Sequence, residues 1–115
     1  MALKKVIEEV YSGKNDVAHS LYKIFKQYAD KVNKIPEHEE TDTMNEGCRY
    51  STSGWDLRIP SIPCGKISIR QTIHTPGGKI TECSIEFRYL EGTYIGDVEE
   101  VREHIRKSGL KSVLK

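Results

Sequence analysis

Apolar and polar residues alternate with a period of two through the second half of the chain. Ile67, Ile69 and Ile73 alternate with Lys66, Ser68, Arg70, Thr72 and His74; further on, Cys83, Ile85, Phe87 and Tyr89 alternate with Glu82, Ser84, Glu86 and Arg88. One apolar and one polar face at this period mark a half-buried antiparallel strand. Strands are therefore predicted over 65–74 and 79–90, joined by Thr75-Pro76-Gly77-Gly78 as a type II turn. Setting Ile69 across from Cys83 and Ile67 across from Ile85 unites the apolar positions. It also places Arg70 against Glu82 and Lys66 against Glu86. A slide of two residues would oppose Lys66 to Arg88, so the first register is expected. A shorter alternation, Trp55, Leu57 and Ile59 with Asp56 and Arg58, predicts a strand over 55–59 that Pro60 ends. The proline-rich stretch behind it suits an exposed edge or a crossover.

Helical spacing governs the first third. Leu3, Val6, Ile7, Val10 and Tyr11 form one stripe of an amphipathic helix over 2–12, closed by Gly13. Val17, Leu21, Ile24, Phe25, Tyr28 and Val32 do the same over 16–34, with Asn15 or Asp16 as the cap and Pro36 as the stop. Lys23, Lys26, Lys31 and Lys34 would then share the polar side of that helix. Val98, Val101 and Ile105 predict a last helix over 98–108, with Asp97 and Glu100 as a capping box and Gly109 as the stop. From 36 to 54 the periodicity vanishes, and Glu37, Glu39, Glu40, Asp42 and Glu46 make an irregular acidic loop. The expectation is one α+β domain, in the order α-α-β-β-β-α, with an N-terminal helical pair and a C-terminal helix on one face of a small antiparallel sheet. Its core would hold Ile67, Ile69, Ile73, Ile85, Phe87 and Tyr89, joined by Val6, Val10, Leu21, Ile24, Phe25, Val101 and Ile105.

Composition narrows the functional classes. With 115 residues and a formal charge of +1, from 18 Lys plus Arg against 17 Asp plus Glu, no global field draws the chain to polyanions. No apolar run reaches the length of a signal peptide or a transmembrane helix, so a cytoplasmic protein without membrane contact is expected. Cys48, Cys64 and Cys83 are odd in number and widely spaced, which favours reduced thiols; a Cys48–Cys64 disulfide is the alternative. The four histidines fall on separate predicted elements and no ligand spacing recurs, so neither a metal nor another cofactor is expected. Pro76-Gly77-Gly78-Lys79 lacks the strand-to-helix setting of a phosphate loop.

Three functional readings follow from these residues. The first is a non-enzymatic binder, an inhibitor, regulator or adaptor of a macromolecular partner. It would act through Glu37, Glu39, Glu40, Asp42, Tyr50 and Trp55, where an acidic segment adjoins aromatics. The partner would be another protein or a second copy in a homodimer, paired through the exposed edge of 55–59. The second reading places His74 with Arg70, Glu82 and Arg88 on the outer face of the hairpin, an acid–base group beside charge stabilisers. Its element order is similar, at a coarse level, to metal-free ribonucleases of RelE-toxin-like architecture, and that analogy implies RNA cleavage. The third reading is a nucleic-acid-binding module using the basic C-terminus: Arg102, Arg106, Lys107, Lys111 and Lys115.

Overall fold

The computed structural model describes residues 3–42, 48–75 and 80–113. Eight elements follow in chain order: β1 (Val6–Gly13), α1 (Ala18–Lys26), β2 (Lys31–Asp42), β3 (Cys48–Arg58), β4 (Lys66–Thr75), β5 (Ile80–Leu90), α2 (Ile95–Lys107) and β6 (Lys111–Ser112). The strands form a six-stranded antiparallel sheet ordered β2-β3-β4-β5-β1-β6. Strands β2 to β5 are a meander. Each helix sits in a crossover: α1 between β1 and β2, α2 between β5 and β6. The two crossovers leave oppositely directed strands and run in opposite directions across the sheet. A shared handedness therefore lays both helices on the same face.

This architecture corrects the expected N-terminal helical pair. The first 13 residues hold a strand, and the second predicted helix is only α1, followed by β2 after a tight turn. In β1 the inward residues are Ile7, Glu9 and Tyr11, in register with Tyr89, Phe87 and Ile85. A carboxylate at the middle inward position hides the period of two, while Val6 and Val10 on the opposite face imitate a helical stripe. Helix α1 starts behind Val17 without a side-chain cap, so neither Asn15 nor Asp16 has that role. Asn15 instead donates through Nδ2 to the Ser108 carbonyl at the end of α2 (3.1 Å), beside Gly109 at φ 88°. Helix α2 begins at Ile95 with Tyr94 at the cap, which puts Asp97 inside the first turn.

The expected 36–54 loop is also corrected, because most of it is a β2–β3 hairpin. Asp42 pairs with Cys48 at its far end, and a register shift lies between Ile35 and His38. Beyond that bulge the hairpin runs past the helices and both its faces meet solvent, so its sequence has no need to alternate. Gly54 lies across from Ile35 at the bulge and from Arg70 of β4. A Cβ there would stand 1.9 Å from the Ile69 carbonyl oxygen, so only glycine permits the close approach of β3 and β4. The expected edge strand 55–59 is likewise corrected: β3 is interior, flanked by β2 and β4.

The β4–β5 register differs by two residues from the expected one. Ile69 opposes Ile85, Ile67 opposes Phe87, and Lys66 faces Arg88. Either register unites the apolar side chains. What two strands alone cannot reveal is β1, which brings Glu8 opposite Arg88 and within 3.2 Å of its Nε, while Glu86 lies 3.6 Å from Nη2. The Pro76-Gly77-Gly78 turn lies outside the described residues, as do Glu46 and Lys115. The core between sheet and helices gathers Leu57, Ile67, Ile69, Ile85 and Phe87 with Leu21, Phe25, Val98, Val101 and Ile105. Of the expected core set, Val6 is exposed and Ile73, Val10 and Ile24 are only partly buried. Tyr28, expected on the buried stripe of the second helix, is exposed as well. No helix among the described residues is long and apolar enough to cross a membrane.

Candidate binding surface

The helices cover one face of the sheet and leave the other open. Register fixes which side chains share that open face. Successive rows across β2, β3, β4 and β5 read Lys31-Arg58-Lys66-Arg88, Asn33-Asp56-Ser68-Glu86, Ile35-Gly54-Arg70-Ser84 and His38-Thr52-Thr72-Glu82; a last row holds Glu40, Tyr50 and His74. Across β2 to β5 the face is thus mostly polar and charged, with Ile35 and Gly54 as the exceptions in these rows, while β1 adds Val6 and Val10. Its hydrogen bonds run between neighbours: Ser68 Oγ donates to Asp56 Oδ1 (2.6 Å), the Thr52 and Thr72 hydroxyls lie 3.3 Å apart, and His38 Nε2 is 3.1 Å from Glu40 Oε1.

The first row stands apart. Four basic residues from four adjacent strands lie directly opposite one another, an arrangement that cross-strand electrostatics disfavours. Arg58 is held by Asp30 through two bonds, Nε to Oδ1 at 2.9 Å and Nη2 to Oδ2 at 2.5 Å. This pairing lowers the Asp30 pKa and raises that of Arg58. Arg88 is held by Glu8 and Glu86. Lys31 and Lys66 have no carboxylate within ion-pair distance among the described residues. Next to them opens a cleft of about 540 Å³, between the end of the open face and the segment 60–65. Lys31, Arg58 and Lys66 line it together with Asn33, Asp56, Pro60, Ile62 and Pro63. Cys64, a free and exposed thiol at φ 57°, also lines it. The expected alternative of a Cys48–Cys64 disulfide is not seen at Cys64, and the Cys48 side chain lies outside the described residues.

The residues expected from sequence to form one acidic-aromatic surface are divided between faces. Tyr50 is on the open face, edge-on to His74 with ring centroids 4.6 Å apart. Trp55 points the other way, under α1, stacked on Tyr22 with centroids at 4.3 Å. Glu40 accompanies Tyr50, whereas Glu39 opposes Ser51 on the reverse side, where Ser51 Oγ donates to Glu37 Oε1 at 2.7 Å. The side chain of Asp42 lies outside the described residues.

Of the expected acid–base group, His74 and Glu82 meet at 3.7 Å, and Arg70 is two rows away on the same face. His74 Nε2 is buried without a hydrogen-bond partner. Arg88 is six residues along β5 from Glu82, about 20 Å distant, and does not join them. The ribonuclease analogy in element order is overturned, because the chain opens on a strand and forms six.

The basic C-terminus is also largely engaged. Arg102 bonds both carboxylate oxygens of Glu9, and also Glu99, and donates from Nη2 to the Tyr89 hydroxyl at 3.1 Å. Tyr11 and Tyr89 donate to the same Glu9 carboxylate at 2.5 and 2.6 Å. Burial by itself would raise the Glu9 carboxyl, but the Arg102 and tyrosine hydrogen bonds outweigh it and hold the pKa at about 2. Burial and the Glu9 charge push Tyr11 up to about 12. Arg106 pairs with Glu99 and Glu103, leaving Lys107 and Lys111 exposed. The cluster around Glu9 and Arg102 fastens α2 to the sheet.

Among the described residues no group of three or more His, Cys, Asp or Glu is placed to hold a metal ion. The residues that sequence reasoning missed are Lys31 and Lys66 acting with Arg58. Their signal was the Lys66–Arg88 opposition, present in the sequence and set aside as unfavourable. No protein-family model, curated protein or solved structure matches the chain.

Proposed function

We propose that the protein is a small non-enzymatic binder that engages a macromolecular partner on the open face of its sheet, as an inhibitor, regulator or adaptor. The observation that carries this reading is the charge arrangement of that face. Four basic residues stand in register, an arrangement that cross-strand electrostatics disfavours. Among the described residues neither Lys31 nor Lys66 has a carboxylate within ion-pair distance, Lys31 acting on Asp30 only through space while Arg58 holds that carboxylate. Unfavourable local choices of this kind concentrate where a surface is used. A flat, wide and polar face also suits a macromolecule better than a small substrate, which binds in an enclosing apolar pocket.

Site-specific photo-crosslinking tests the reading. A photoreactive side chain replaces Arg70 or Ser84 on the open face, or Ser20 on the solvent side of α1, and each variant is irradiated in nuclease-treated and untreated lysate. Discrete adducts from positions 70 and 84, and none from 20, are expected. Adducts from 20 alone, or from no position, would remove the open face from consideration. The runner-up, RNA cleavage by His74 with Arg70 and Glu82, is favoured by one observation, the 3.7 Å approach of His74 to Glu82. Cleavage of mixed RNA that disappears in His74→Ala would put it in first place.

A further inference from the structure

Lys66 is flanked across the sheet by Arg58 on one side and Arg88 on the other. Lys31 continues the row on the edge strand. At the ordinary spacing of strands the row spans about 14 Å in a straight line. Each neighbouring acid is committed: Asp30 to Arg58, Glu8 and Glu86 to Arg88, and Asp56 to the Ser68 hydroxyl. The cleft beside the row is lined by three cations and Asp56, and one of those cations, Arg58, is paired with Asp30. The same lining includes the exposed Pro60 and Pro63 and the buried Ile62. Three cations beside exposed proline rings, with the Asn33 amide in the same lining, match a repeating phosphate chain that bears flat, hydrogen-bonding bases.

We propose that this row and cleft bind single-stranded nucleic acid. Lys31 and Lys66 would take successive phosphates while a splayed base lies against Pro60 and Pro63. The proposal rests on the reading above that the open face is a binding surface, and gives that surface its partner. A duplex keeps its bases stacked inside and offers nothing to the prolines, so single strands are the form that fits. The charge of the chain as a whole plays no part, since it is close to neutral; the field is local. Two residues of the expected C-terminal basic track, Arg102 and Arg106, are engaged by Glu9, Glu99 and Glu103, which makes that track the weaker candidate.

Fluorescence anisotropy with a labelled 20-nucleotide single strand, RNA or DNA, tests the proposal against unlabelled mononucleotide and polyglutamate as competitors. Binding should weaken as salt rises, with a log–log slope of about −0.7 for each phosphate engaged. Lys31→Glu with Lys66→Glu should weaken binding by more than about tenfold and flatten the slope by roughly 1.4. Lys107→Glu with Lys111→Glu should leave both unchanged. Lys66→Glu alone puts an acid between Arg58 and Arg88, so it should raise the melting temperature by about 2–6 °C while lowering affinity. A structural role for Lys66 would move stability and binding together. No binding at low salt, or equal binding by the double variant, overturns the proposal. Competition by mononucleotide or polyglutamate at the same charge concentration as the oligonucleotide also overturns it. Crosslinks from positions 70 and 84 that survive nuclease treatment would then leave the binder reading standing with a protein partner.

Discussion

Glu9 shows how one residue can both hold a fold and hide it. Its carboxylate faces the core side of β1 and accepts from Tyr11, Tyr89 and Arg102, so α2 is tied to two strands through a single group. Glu9→Gln retains the shape but loses the charge that three donors are arranged around. It should destabilise the protein by about 2–4 kcal/mol in denaturant unfolding. The same cluster sets a pH window. The folded Glu9 pKa of about 2 lies below its ordinary value of 4.5, so its stabilisation is complete above 4.5 and drains away as pH falls toward 2. Tyr11 is the opposite case: its pKa is raised from 10 to about 12, so its share is complete below 10 and lost as pH rises through 12. Melting temperature should fall at both ends, and Glu9→Gln should flatten both limbs; an unchanged acid limb would show that Glu9 does not set it. Gly54 is the second decisive single position. Ala there meets the Ile69 carbonyl oxygen in a backbone that cannot yield, and Gly54→Ala should cost more than about 3 kcal/mol or prevent folding, as read by circular dichroism. Neither residue announces its role in the sequence, because a buried glutamate and a strand glycine both look like solvent-facing punctuation.

At the scale of elements, legibility followed burial. β4 and β5 are central strands with one face on the core, and their alternation located them within a residue or two. Phe87, fully buried between sheet and helices, remains the test of that face: Phe87→Ala should cost about 3–5 kcal/mol, and a loss under about 1 kcal/mol would move the core elsewhere. α2 was legible for the same reason, through Val98, Val101 and Ile105. β1 and β2 were not. β1 sets a charge inward at Glu9 and Val6 and Val10 outward, which reverses the pattern that marks a strand. β2 is an edge strand, where exposed Val32 has no core to face and Pro36 falls at the bulge. The acidic run 37–42 lacks alternation because its hairpin projects beyond both helices, giving the molecule a long axis of 54 Å against 30 and 25 Å. The β4–β5 register illustrates a different limit. Pairwise charge matching chose the wrong alignment because the partner of Arg88 comes from β1, which is distant in sequence and adjacent in the sheet. The candidate site shared that fate: its row assembles from four strands, and of its cations only Arg58 and Lys66 are near one another along the chain.

For the molecule as a whole, the sheet order decides how copies of the chain can meet. The expected homodimer through 55–59 requires that strand at an edge, and β3 is enclosed on both sides. The true edges are β2 and the two-residue β6. β6 pairs only with Tyr11 and Ser12 of β1 among the described residues, so residues 6–9 of β1 are edge as well. β2 carries the features that block pairing: Lys31 and Lys34 along its length, Pro36 without an amide hydrogen, and the bulge before His38. Edge-to-edge association is therefore disfavoured along β2, the long edge of the sheet. Size exclusion with light scattering should return the 13.1 kDa monomer at micromolar concentration. Replacing Lys34 and Pro36 together by Val removes a charge and restores an amide on an otherwise extended edge. The variant should then associate in a concentration-dependent way, with the open face and its basic row unaltered. A wild-type dimer that persists in Lys31→Glu, or a variant that stays monomeric, would show that something other than these guards governs the edge.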